Sequence, residues 1–159
     1  MSDTISARNL TQVQMNQLIN LIKYNSPKEH YTADACIVWC FDDRFTGLLK
    51  ELNRFGFKNI DLIKVAGGAK GLIGPESARA FLLDQIEKSI KLHHAPLIIL
   101  MVHKNCGAYG TLSAVDENGF FSKELKQAKI NLEVFLEAAK HTAKVKIYLA
   151  DFDGLWEVR

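Results

Sequence analysis

Nowhere in this 159-residue chain does an apolar run approach the roughly 20 residues that a membrane span requires. The segment from Met1 to Gln12 is too polar for a secretory signal, so a cytoplasmic protein with no membrane partner is expected. An excess of one charge is lacking too. Twenty Lys and Arg stand against 18 Asp and Glu, and the lysines are spread along the chain. A nucleic-acid partner would demand a broad basic stripe, and none exists. Cysteine is scarce and odd in number, at three, so the cysteines cannot all pair within one chain. Cytosolic thiols stay reduced unless they have a redox task, which leaves two of them better read as ligands. Cys36 reads as a small buried hydrophobe.

What is present is enough apolar sequence, 48% of residues, for one ordinary core, and the length argues for a single domain. Met15, Leu18, Ile19 and Ile22 recur at helical spacing between Asn9 and Tyr24, which predicts an amphipathic helix in an N-terminal arm spanning 1–34. The rest, 35–159, reads as an α/β domain. Strands are expected at Ala35 to Phe41, Asn59 to Ala66, Leu97 to Val102 and Val145 to Ala150. Between them come a helical stripe through Leu48, Leu49, Leu52 and Phe55 ending near Gly56, and a helix from Glu76 to about His93. A short helix over Gly107 to Ala114, a turn at Asp116 to Gly119 and a longer helix through Leu125 to Ala139 follow. This alternation predicts a three-layer α/β fold with a mainly parallel sheet. There is no internal repeat.

Two short motifs close apolar segments: Cys40-Phe41-Asp42-Asp43-Arg44 and His103-Lys104-Asn105-Cys106. Catalytic zinc takes three protein ligands from Cys, His or carboxylate and leaves a fourth position open, and Cys40, His103 and Cys106 meet that need. The His-x-x-Cys pair alone is a weak signal. With Cys40 at a matching strand end, metal binding outweighs a purely structural reading. One ion can join Cys40 and His103 only if the first and third strands are neighbours, which fixes a strand order beginning 2-1-3 and places the site at a topological switch point. Asp42 and Arg44, two apart beyond the strand, would point the same way in an extended backbone and form a charge-assisted pair. Such a pair is either a surface contact of little worth or, beside a metal, a device that keeps Asp42 ionised and off the ion. Asp43 faces solvent or caps the next helix. His30, His93, His94 and His141 have no partner identifiable from sequence, and His93-His94 falls at the opposite edge of the third strand. The loop Gly67-Gly68-Ala69-Lys70-Gly71 has neither phosphate-loop spacing, so its expected task is close passage beside the crevice, with Ala66, Gly67, Gly68 and Gly107 as substrate-pocket candidates.

These residues resemble the β-class carbonic anhydrases, whose hallmark is Cys-x-Asp-x-Arg followed some sixty residues later by His-x-x-Cys. Cys106-Gly107-Ala108 continues the match, and Val65-Ala66-Gly67-Gly68 is similar to the family's Asn-Ala-Gly-Asn or Asn-Ala-Gly-Gly. The chain departs at Val65, where the family has asparagine, and at Lys64, where many members carry arginine. The resemblance implies a β-carbonic anhydrase-like fold, Zn2+ on Cys40, His103 and Cys106, and an Asp42–Arg44 catalytic dyad. It also implies a homodimer or higher even oligomer embraced by the N-terminal arm.

The activity it implies is reversible hydration of CO2 to bicarbonate by a zinc-activated hydroxide. Three alternatives stand beside it: a carbonyl sulfide or carbon disulfide hydrolase on the same site, a zinc-binding homologue without turnover, and a flavodoxin-like module in which the cysteines are merely buried.

Overall fold

Strand β1 (Ala35–Cys40) is buried at all six positions. Its apolar run has a parallel neighbour on either side and a layer over each face, so no position needs a polar side chain. Even-numbered Cys36 and Val38 enter one core cluster, and odd-numbered Ala35, Ile37 and Trp39 enter the other, as the two-residue period of a strand requires. Strand β3 (Leu97–His103) divides in the same way, with Ile98, Leu100 and Val102 on one side and Ile99 and Met101 on the other. The computed structural model describes residues 19–112 and 116–159.

Strands β2 (Ile60–Val65) and β4 (Lys144–Asp151) flank this pair, and β5 (Gly154–Glu157) completes the order β2-β1-β3-β4-β5. The first four are mutually parallel, so the expected 2-1-3 beginning is observed. The fifth strand was not expected. It pairs antiparallel with β4 across Asp151-Phe152-Asp153-Gly154, where Asp151 Oδ1 accepts from the amides of Asp153 and Gly154 at 2.9 and 3.0 Å. The two loop residues are Phe152 and Asp153, not the Asn-Gly or Asp-Gly pair that marks a two-residue hairpin in sequence.

Helix α1 (Thr46–Leu52), bracketed by 3-10 turns at Asp43–Phe45 and Asn53–Phe55, covers one face of the sheet through Phe45 and Leu52. Its run ends at Gly56, in the left-handed region. The other face takes α2 (Glu76–His93) and α3 (Glu117–Ala138), which bring Leu82, Ile86, Phe121, Leu125 and Leu132 onto Cys36, Val38 and Leu100. The result is three layers.

Three expectations need correction. Asp116 to Gly119 is not a free turn, because Asp116 caps α3 by accepting from the amides of Asn118 and Gly119, both at 3.1 Å. The helix expected from Gly107 shrinks to one 3-10 turn, Gly107–Tyr109, and 113–115 lie outside the described residues. Of the arm helix expected from Asn9 to Tyr24, residues 9–18 lie outside the described part, and 19–24 are not helical. Ile19, Leu21, Ile22 and Tyr24 are more than 80% exposed, so within 19–24 no burial of apolar side chains offsets the entropy cost of a helical turn. Among the described residues no helix is long and apolar enough to cross a membrane.

Candidate metal centre

Because β1 and β3 lie side by side and run the same way, their last residues, Cys40 and His103, emerge at one edge of the sheet. Three residues beyond His103 the chain has turned back through Asn105, whose φ of 54° is the left-handed conformation that Asn tolerates better than most residues. That turn presents Cys106. The two sulfurs and a ring nitrogen of His103 all lie within 4.8 Å of one another, and all three residues are buried.

The imidazole is oriented from behind. His103 Nδ1 donates to the Lys104 carbonyl at 2.8 Å, which leaves the Nε2 lone pair facing the sulfurs, while Phe45 stacks on the ring at a centroid distance of 4.3 Å. Nε2 is buried and has no hydrogen-bond partner. A buried nitrogen left so is costly unless something else takes its lone pair.

The sulfurs make the same demand. The Cys40 thiol is held down to about 4, first by its hydrogen bond with Cys106 and further by the backbone amides of Asp42 and Gly67. That same bond pushes Cys106 up, so one sulfur takes the charge and the other keeps the proton. A divalent cation in place of that proton would satisfy both thiolates and Nε2 at once. The donor set therefore fits a metal of the zinc type.

Asp42 and Arg44 do meet, though not through an extended backbone. Asp42 caps the 3-10 turn Asp43–Phe45, accepting from the Arg44 amide at 3.1 Å, and the turn brings the guanidinium around onto its carboxylate. Nε reaches Oδ1 at 3.0 Å and Nη2 reaches Oδ2 at 2.6 Å. This bidentate contact holds the Asp42 carboxyl down to about 2. Oδ2 stands 3.7 Å from His103 Nε2, beside the ligand cluster but too far for a hydrogen bond. Asp43, of the two alternatives raised for it, faces solvent.

Asn105 escaped the sequence reading. It accepts from Arg44 twice, through its side-chain oxygen from Nη1 at 3.0 Å and its carbonyl from Nη2 at 3.2 Å, and so ties the two motifs together. The available signal was an αL-tolerant residue inside His-x-x-Cys.

The glycine loop passes the crevice at close range. A Cβ on Gly68 would stand 2.2 Å from the Met101 carbonyl oxygen and 3.2 Å from the Cys40 nitrogen, and φ is +56° there. Gly67 and Gly68 are buried and Ala66 is exposed. Gly107 lines an open cleft of about 520 Å³ together with Asn105, Cys106 and Glu117, and the glycine loop lies outside that lining. Lys70 donates to the Ala108 carbonyl and lies 4.8 Å from the Tyr109 ring centroid, clamping the loop to the turn after Cys106. Val65 packs against the core, and Lys64 donates to Thr46 Oγ1 at 2.8 Å. Away from the centre, His93 and His141 do have partners, Asp61 at 2.9 Å and Glu87 at 3.3 Å. Cys36 is buried, and burial pushes its thiol up to about 12.

No protein-family model and no curated protein sequence matches the chain. Solved structures do. The carbonic anhydrase from Glaciozyma antarctica superposes with a TM-score of 0.51 at 16% identity, covering 82% of this chain and 84% of that one. A structure from the study of two tetrameric beta-carbonic anhydrases of the filamentous ascomycete Sordaria macrospora gives 0.51 at 15% identity, covering 80% and 81%. A carbon disulfide hydrolase gives 0.49 at 11% identity, covering 81% of each chain. With its three layers, its mainly parallel sheet and its strand order, this chain has the fold of the β-carbonic anhydrases.

Proposed function

We propose that the protein is a zinc enzyme of the β-carbonic anhydrase family that catalyses the reversible hydration of CO2 to bicarbonate. The observation that carries this reading is the convergence of Cys40, His103 and Cys106 within 4.8 Å, with the ionised Asp42 carboxylate 3.7 Å from His103 Nε2. Zinc on those three ligands supplies Lewis acidity that brings the pKa of water down toward neutrality.

The chain supplies the rest. Asp42, fixed by Arg44, keeps a carboxylate oxygen beside the centre as a proton acceptor that orients water for attack on the substrate carbon. Arg44 also holds that carboxylate off the position water must occupy. The amides of Asp42 and Gly67, donating to the Cys40 sulfur, drain charge from a thiolate-rich ligand set that would otherwise weaken the acidity of the site. Beside Cys106 the cleft is bounded by Gly107, where no side chain obstructs a linear three-atom molecule.

A homodimer is part of the proposal, supported by the exposed Ile19, Leu21, Ile22 and Tyr24 and by Leu62 on the free edge strand β2. A cytoplasmic setting suits a centre that needs two reduced sulfurs.

Stopped-flow CO2 hydration on protein of measured zinc content tests the activity. Wild type should turn over CO2 with one zinc per chain. Asp42→Ala should keep zinc and lose about 100-fold or more in kcat, whereas Cys106→Ser should lose the metal. Stoichiometric zinc without hydration above background between about pH 7 and 9 would sink the proposal. Sulfide release from carbonyl sulfide or carbon disulfide in parallel assays would redirect it to those substrates.

A further inference from the structure

Phe152 sits at the tip of the β4–β5 turn and is 66% exposed, so core packing does not account for its position. Its ring lies 5.5 Å from the Arg44 guanidinium and 5.5 Å from the Phe45 ring. Phe45 in turn lies 5.8 Å from the same guanidinium and stacks on His103. The turn carrying Phe152 is anchored to the second motif, because Asp151 pairs with Lys104 at 3.4 Å and it is the Lys104 carbonyl that orients His103. From the other side Asn105 accepts from both terminal nitrogens of Arg44. Together with the contacts to Asp42, every guanidinium nitrogen is engaged and the cation lies against a pair of neighbouring aromatic rings.

We infer that Phe152 and Asn105 are positioning residues of the metal centre, acting through Arg44 to keep the Asp42 carboxylate off the metal. The inference rests on the reading of the site as an open, catalytic zinc centre. Arg44 is half exposed, and a long side chain at such a position has several competing rotamers. If it swings away, a short side-chain rotation is enough to bring Asp42 Oδ2, already 3.7 Å from Nε2, onto an ion held by Cys40, His103 and Cys106. The centre then has four protein ligands and no place for water. Two features unrelated to ligation, an aromatic ring at the tip of the β4–β5 hairpin and an asparagine in a left-handed turn, thus bias the centre toward its open form.

Cobalt(II)-substituted protein titrated with thiocyanate, followed by visible absorption, reads this balance directly, because the anion competes with Asp42 for the fourth position. Wild type should respond. Phe152→Ala should need about two- to fivefold more thiocyanate, in keeping with loss of an exposed cation–π contact. Asn105→Gly, which retains the left-handed turn, should need about tenfold more through loss of a charge-assisted hydrogen bond. In the zinc enzymes kcat should fall by similar factors with KM unchanged, and Phe152→Tyr should restore both readouts. Adding Asp42→Ala to Phe152→Ala should return the thiocyanate requirement to the wild-type value. Wild-type titration curves for Phe152→Ala and Asn105→Gly overturn the inference and leave the open centre standing. A wild-type cobalt protein that ignores thiocyanate overturns the open centre itself, and the inference with it.

Discussion

Asp61 gathers hydrogen bonds from three side chains that no sequence spacing connects: Tyr31 ahead of β1, and Ser89 and His93 on α2. Burial pushes its carboxyl up, but the bonds from Ser89, Tyr31 and His93 outweigh burial and hold it below the ordinary range. The same contact pushes the Tyr31 phenol up to about 12. The two shifts act at opposite ends of the pH scale. A carboxyl depressed on folding adds stability above its unfolded value of about 4 and loses it as pH falls through the folded value. A phenol raised on folding adds stability below its unfolded value of about 10, lost as pH climbs toward 12. Urea midpoints measured across pH should therefore drop at both extremes. Asp61→Asn should flatten the acid limb and Tyr31→Phe the alkaline one, and unchanged limbs in those variants would discount the cluster. No partner for His93 is identifiable from sequence because Asp61 lies on another element, and pairings of that kind are not written in local sequence.

Among the elements, the loop after β2 is the most constrained by what surrounds it. Gly68 has no room for a methyl group against the Met101 carbonyl, and its positive φ adds strain for any other residue. Gly68→Ala should cost about 2–4 kcal/mol in urea unfolding, from overpacking and left-handed strain together. Gly107→Ala, with nothing within 4 Å of the added methyl and no positive φ, should change stability by less than about 0.5 kcal/mol. Equal losses at the two sites would refute this account. Strands β1 and β3 were legible because apolar runs buried on both faces announce themselves, β2 and β4 because short runs rich in β-branched and aliphatic residues follow each helical stripe, and the order 2-1-3 followed from requiring Cys40 and His103 to share one ion. Strand β5 was not, since an edge strand of four residues carries little periodicity. Asp42 and Arg44 were recognised as a pair with the wrong geometry, because a 3-10 turn and an extended segment both bring residues two apart into reach.

For the molecule as a whole, Ile19, Leu21, Ile22 and Tyr24 form an apolar stretch that the folded domain leaves uncovered. Light scattering on the zinc-loaded protein should give a mass twice that of the chain. Changing Ile19, Leu21 and Ile22 to serine should shift it toward monomer, and a monomeric wild type would rule out the dimer. The topology carries a consequence in time as well. Neither neighbour of β1 reaches it by a hairpin, for β2 arrives after α1 and β3 only after α2. Long loops must close before those pairings repay their entropy, so inserting β3 beside β1 is a late and slow event. Until it happens, Cys40 and His103 belong to separate stretches of chain. The ability to hold an ion therefore dates the moment at which the centre of the sheet is assembled.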